Sequence, residues 1–128
     1  MLRALVIDDS RAMRRIVAGI LEDVGFETRP AADGREALDV LATGWVPELA
    51  CVDWNMPVMD GLQFVSAARA NPAHRAMTIM MVTSESEQGQ IVRALAAGAH
   101  EYLIKPFTAD AIRDKLALLG LLPQEAVL

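Results

Sequence analysis

Three carboxylates, a threonine and a lysine in this sequence stand where short apolar runs stop. Asp8 and Asp9 follow the first such run, Asp53 closes another, Thr83 follows Val82 and Lys105 follows Ile104. If those runs are neighbouring parallel strands, their ends share one edge and the side chains converge on one shallow pocket. Three clustered carboxylates repel one another, which raises at least one pKa unless a cation offsets the charge. Mg²⁺ suits such a cluster because it takes oxygen ligands, keeps several waters and shares carboxylates with a phosphate. Asn55, two residues after Asp53, is placed to add a backbone carbonyl. Neither cysteine nor histidine belongs to the cluster, which disfavours zinc or copper. Beside a cation an aspartate oxygen can attack phosphorus, giving an aspartyl phosphate. Such transfer depends on positioning and on holding charge at the equatorial oxygens. The metal can take one oxygen, Lys105 a second, and the Thr83 hydroxyl or nearby backbone amides a third.

The elements needed to bring these residues together can be read along the chain. Residues 2–7 are apolar apart from Arg3 and read as a buried strand, after which Ser10 caps a helix. Met13, Ile16, Val17, Ile20, Leu21 and Val24 recur at steps of one, three and four, giving that helix one apolar face before Gly25 ends it. Residues 26–31 form a short second strand, which Pro30 places at an edge. Asp33 caps the next helix, with Ala37, Leu38 and Leu41 inside, and residues 48–53 form the third strand. A loop from Met56 to Gly61 leads into a helix using Leu62, Phe64, Val65 and Ala68, and Asn71-Pro72 breaks the chain. Residues 78–82 are the most hydrophobic strand, followed by a helix from about residue 87 to 97 ending at Gly98. Residues 101–104 form a fifth strand, and Thr108 starts a last helix through Ala111, Ile112, Leu116 and Leu119.

Near-continuous apolar strands alternating with helices indicate a parallel sheet covered on both faces. The expected fold is α/β and doubly wound: five parallel strands in the order 2-1-3-4-5, flanked by five helices, with the site at the carboxyl ends around the switch between strands 1 and 3. Residues 1–120 make one domain and 121–128 a C-terminal tail.

Composition narrows the function. With 128 residues, 53% hydrophobic and 23% charged, the chain suits one packed domain. A formal net charge of −5 argues against nucleic-acid binding, and Arg11, Arg14 and Arg15 read as a solvated helix face. Cys51, the sole cysteine, reads as a buried small hydrophobe. No run is long enough to span a membrane and no signal peptide is evident, so a soluble cytoplasmic monomer is expected. Trp54 is expected partly exposed beside the site, and His74 and His100 exposed in loops away from it.

The combination Val6-Ile7-Asp8-Asp9, Asp53-Trp54-Asn55-Met56-Pro57-Val58-Met59-Asp60-Gly61, Val82-Thr83-Ser84 and Lys105-Pro106-Phe107 resembles the receiver domain of two-component response regulators, over about residues 5–119. Among receivers, Met13-Arg14-Arg15-Ile16-Val17 and Lys105-Pro106-Phe107-Thr108 look like the stand-alone chemotaxis type, CheY-like, with departures at Ser10 and Ser84. The resemblance implies that Asp53 is the phosphoacceptor, with a phosphohistidine of a sensor kinase as donor. It implies that Asp9, Asp53 and the Asn55 carbonyl hold Mg²⁺, Asp8 mostly through water, and that Lys105 binds the phosphoryl group ahead of a cis Lys105–Pro106 bond. Thr83 and Tyr102 would form a switch acting on the face of helix 4, strand 5 and helix 5, while Asn55 and Glu85 tune dephosphorylation. The output would be protein binding, to the flagellar motor switch in chemotaxis, with a phosphatase as a further partner. The chain would then be no enzyme beyond its self-catalysed phosphorylation and dephosphorylation. The alternatives are a phosphorelay intermediate or phosphate sink in another pathway and, further off, an aspartate-based phosphatase. The last normally carries Asp-x-Asp after strand 1, where this chain has adjacent aspartates.

Overall fold

A computed structural model describes residues 1–84 and 89–122. The elements run β1 (Arg3–Ile7), α1 (Arg11–Val24), β2 (Glu27–Ala31), α2 (Gly34–Ala42), β3 (Leu49–Asp53), α3 (Gly61–Arg69), a 3₁₀ turn (Pro72–His74), β4 (Thr78–Ser84), α4 (Ile91–Ala97), β5 (Glu101–Lys105) and α5 (Ala109–Leu118). All strand pairs are parallel and the sheet order is β2-β1-β3-β4-β5. The expected architecture is the one observed.

Period-two alternation divides each central strand between two cores. Leu5 and Ile7 of β1, Ala50 and Val52 of β3, and Ile79 and Met81 of β4 pack with α2, α3 and α4 through Ala37, Leu41, Phe64, Val65, Ala68 and Ala94. The alternate residues Ala4, Val6, Leu49, Cys51, Met80 and Val82 pack with α1 and α5 through Val17, Leu21, Val24, Ile112 and Leu116. With both faces covered, β3 is buried at every residue. Phe64 is completely buried, so Phe64→Ala would cost about 3–5 kcal/mol. Cys51 is buried as expected, and burial pushes its thiol up to about 12.

The helix ends follow local chemistry. Ser10 Oγ accepts from Met13 N–H, Asp33 Oδ1 from Glu36 N–H, and Thr108 Oγ1 from Ala111 N–H. Asp60 and Gln63 form a reciprocal capping box at α3. Gly25 closes α1 at φ 116°, a region costly for residues with a Cβ. β2 is largely exposed and lies at the sheet edge, which suits Pro30.

Four features differ from the sequence expectations. Ile16 is 53% exposed rather than on the inner face of α1. β4 continues through Thr83 to Ser84, because both pair in register with β5 at Ile104 and Lys105. His74 is buried, at 6% exposure, because Pro72 starts a 3₁₀ turn that folds it inward, whereas His100 is exposed. Trp54 is also buried, at 6%. Among the described residues no helix is long and apolar enough to cross a membrane.

Candidate functional site

The carboxyl edge of the sheet is built outward from Asp8. Its N–H donates to the Ala31 carbonyl (3.1 Å), which ties the end of β1 to β2. Its carboxylate Oδ1 accepts the Ser10 N–H (2.8 Å), and its carbonyl accepts from Arg14 Nη1 (2.7 Å). The turn into α1 is therefore fixed on both sides of the residue. Asp53 closes β3 at the next strand end, opposite Val82 of β4. Lys105 closes β5 and reaches back across β4. Its Nζ donates to Asp53 Oδ1 at 3.0 Å and lies 3.7 Å from Asp8 Oδ2. The Lys105–Pro106 bond is cis.

Asp8 and Asp53 are 4% and 7% exposed, whereas Asp9 is exposed. Burial pushes the Asp53 carboxyl up to about 6; Lys105 works against this rise, and Asp8 and Asp9 add to it. Burial likewise raises Asp8, while the Ser10 N–H and Lys105 oppose the rise and Asp9 assists it. Burial alone would lower Lys105, but its contacts with Asp53 and Asp8 outweigh that and raise it. One ammonium thus faces two buried carboxylates and a third nearby, and negative charge is left uncompensated.

That excess suits a hard cation. One carboxylate oxygen from each of Asp8, Asp9 and Asp53 lies within 4.8 Å of the others. The donors are all oxygen and anionic, as Mg²⁺ prefers. Asn55 is exposed two residues beyond Asp53, on the same edge.

The backbone approaches Asp53 very closely. Gly61 N–H donates to the Trp54 carbonyl (2.9 Å), and Trp54 N–H to the Val82 carbonyl (3.1 Å). A Cβ added at Gly61 would sit 2.5 Å from the Asp53 carbonyl oxygen and 3.2 Å from Trp54 Cα. The loop between β3 and α3 therefore folds back over the strand end and buries Trp54. In that loop Met59 N–H donates to the Pro57 carbonyl (2.7 Å), which forces Val58 to φ 68° while leaving it 81% exposed.

Asp8, Asp9, Asp53 and Lys105 are brought together as expected. Thr83 is nearly fully buried one residue beyond Val82, and its hydroxyl donates to the Ser84 carbonyl (3.3 Å). Tyr102 lies in β5 opposite Met81, half-buried against the α2–α3–α4 core. Glu85 lies outside the described residues. The sequence reading missed the grip of Arg14 on Asp8 and the close approach at Gly61. The signal for the second was a glycine directly after Asp60, at a helix start where no turn demanded it.

Comparison with known proteins gives a consistent picture. The family described as "Response regulator receiver domain" matches residues 4–117. The chain is 40% identical over 116 residues to chemotaxis protein CheY of Pseudomonas aeruginosa, covering 90% of this chain and 93% of that protein. It is 39% identical over 116 residues to chemotaxis protein CheY-3 of Vibrio cholerae, covering 90% and 88%. The solved structure of the chemotaxis response regulator CheY4 of Vibrio cholerae superposes with a TM-score of 0.85 at 36% identity, over 93% of this chain and 98% of that one.

Proposed function

This chain belongs to the response regulator receiver domain family, and from that premise we propose that it accepts a phosphoryl group on Asp53 from a phosphohistidine of a sensor kinase. The observation that carries the reading is the contact of Lys105 Nζ with Asp53 Oδ1 beside two further carboxylates. An Asp53 oxygen forms the new bond to phosphorus as the phosphorus–nitrogen bond of the donor breaks, and the departing imidazole nitrogen takes up a proton. Lys105, already paired with that oxygen, holds charge on the transferred group. Asp8, Asp9, Asp53 and the Asn55 carbonyl are the groups that would hold Mg²⁺. When bound, the ion offsets the carboxylate charge and polarises a phosphoryl oxygen. Ser10 N–H and Arg14 keep Asp8 in place throughout.

The Thr83 hydroxyl donates to the adjacent Ser84 carbonyl, and among the described residues it makes no hydrogen bond to Asp53. Its turn toward a new phosphoryl oxygen, followed by Tyr102, is the proposed switch. Val92 and Leu95 of α4 and Leu118 of α5 are exposed apolar residues flanking β5. They support the α4–β5–α5 face as the surface that reads the switch by binding another protein. The names of the relatives favour chemotaxis, and a flagellar motor-switch protein is the partner proposed here. Asn55 and Glu85 are proposed to tune water attack on the acyl phosphate, alone or with a partner phosphatase. No turnover of an external substrate is proposed.

The deciding experiment is intact mass after treatment with acetyl phosphate and Mg²⁺. Wild type should gain one phosphoryl group and Asp53→Ala none; equal labelling of the two would refute Asp53 as acceptor. Binding to a motor-switch peptide should rise on phosphorylation, and no binding in either state would leave a phosphate sink or relay role.

A further inference from the structure

Tyr102 is held by two charged neighbours, one on its own strand and one on α5. Lys115 Nζ lies 4.6 Å from the centroid of the Tyr102 ring, within range of a cation–π contact. The same ammonium donates to Glu101 Oε1 at 3.0 Å, and that oxygen also accepts the Tyr102 backbone N–H at 2.9 Å. One carboxylate oxygen therefore fixes both the peptide that carries the ring and the cation that covers it. All three side chains are shielded: those of Lys115 and Glu101 are 25% and 21% exposed, and Tyr102 is half-buried. Burial opposes the charge on Glu101, yet the Tyr102 N–H and Lys115 outweigh it and hold its carboxyl below the ordinary range. The chain contains only two lysines. One sits on Asp53 and the other on Tyr102, at the two ends of the proposed switch.

We propose that Lys115, anchored by Glu101, is a positioning residue that clamps the Tyr102 ring in the resting arrangement, so that the ring moves only when this cation is displaced. The inference rests on the reading of Tyr102 as part of the switch. The clamp exists in the arrangement where Lys105 is on Asp53 and the Thr83 hydroxyl is on Ser84. On this proposal the contact is lost when the ring moves, so it favours the state without a phosphoryl group. A contact made only in the resting state lowers the population of the other state and weakens any ligand that selects it. Glu101 gives the effect its precision, because an unanchored lysine at a surface has many rotamers and spends little time over one ring.

Tyr102 is the sole tyrosine, so protein labelled with 3-fluorotyrosine carries one ¹⁹F line. The readout is the concentration of beryllofluoride, a phosphoryl mimic, that half-converts this line in the presence of Mg²⁺. Using the midpoint avoids reading direct effects of a deleted charge on the line position. Removing a cation–π contact worth about 0.5–1 kcal/mol should lower the midpoint about two- to five-fold. Lys115→Met keeps the aliphatic stem and Glu101→Gln keeps the acceptor for Tyr102 N–H, so both should show the decrease. Lys115→Arg retains the cation and should stay at the wild-type midpoint. The double variant should fall no further than Lys115→Met, since the two residues act as one device. A line that responds to beryllofluoride with the same midpoint in wild type and both single variants overturns the clamp alone. A wild-type line that stays put while intact mass shows the beryllofluoride adduct overturns the switch reading, and the clamp with it.

Discussion

Asp53→Asn should make the metal-free protein more stable, and the gain should depend on pH in a defined way. The native fold buries this carboxylate at 7% exposure and raises it from an ordinary 3.8 to about 6. Folding therefore favours the protonated form. At about 1.36 kcal/mol per pH unit, the ionised side chain costs the native state about 3 kcal/mol at neutral pH. This stability is fully present below pH 3.8, is lost as pH rises toward 6, and stays lost above. Asparagine imitates the neutral carboxyl in size and charge, so it removes the cost. Its amide cannot accept from Lys105 as a carboxylate does, though Lys105 keeps Asp8 at 3.7 Å, and the net gain should be about 1–3 kcal/mol. Urea denaturation in EDTA, followed by the fluorescence of buried Trp45 and Trp54, measures the difference between variant and wild type across pH 4–8. The difference should grow from near zero at pH 4 to its plateau above pH 6. Added Mg²⁺ should then stabilise wild type far more than the variant and narrow the gap. A variant no more stable than wild type at pH 7.5, or a gap equally large at pH 4, would falsify the account of Asp53 as a buried, undercompensated charge.

Other perturbations test separate parts of the structure. Val58→Asn should stabilise by about 1 kcal/mol in urea denaturation, because asparagine tolerates the φ of 68° that a β-branched residue resists; no gain would mean the loop carries no strain. Gly61→Ala should cost about 1–3 kcal/mol and slow labelling by acetyl phosphate, since the new methyl meets the Asp53 carbonyl oxygen at 2.5 Å. Lys105→Met should raise the Asp53 pKa further, read by ¹³C NMR of its carboxyl group, because a cation that opposes the rise is gone. Although His100 is exposed overall, partial shielding of its ring and the Arg69 charge lower its pKa, and its Nδ1 accepts from Ile79 N–H at 3.1 Å. Its contribution is therefore present above pH 6.5 and lost as pH falls through the lower native value, so wild type should lose stability below pH 6.5 relative to His100→Asn.

What was readable in the sequence is what periodicity and strand ends encode. Residues such as Leu49, Ala50, Cys51 and Val52 are apolar on both faces of a strand, which requires helices above and below. Once the strands are parallel, topology alone carries Asp8, Asp53 and Lys105 to one edge. Less accessible were features that depend on how loops return to the sheet. Trp54 follows a strand end and reads as partly exposed, yet the Gly61–Trp54 hydrogen bond folds the loop down and buries it. Ile16 satisfies a helical step of three from Met13, but it lies beyond the stripe that Val17, Leu21 and Val24 actually bury. His74 carries no pattern of its own, and its burial comes from a turn that Pro72 starts. Arg14 belongs to a basic cluster that composition can only describe as solvated, whereas one of its donors supports Asp8.

The balance of charge separates the site from the scaffold. Away from the carboxyl edge, polar demands are closely met apart from the buried His74 Nδ1, which has no hydrogen-bond partner: Arg69 alone donates to the carbonyls of Gly98, His74 and Met77 at 2.6–3.0 Å, joining α3 to the turns that precede β4 and β5. At the carboxyl edge the same rigid strands hold three carboxylates against a single lysine. A sheet buried on both faces cannot relax by splaying those strand ends apart, because Val6, Val52 and Val82 just inside them are fixed in the core. The repulsion is therefore retained rather than relieved. Two remedies remain at this edge, a cation bound beside the carboxylates or a proton on Asp53. Binding a cation leaves the Asp53 oxygens unprotonated and able to attack phosphorus, whereas protonation does not. On the proposed function, the rigidity that makes the metal-free site costly would also favour the metal-bound, nucleophilic form.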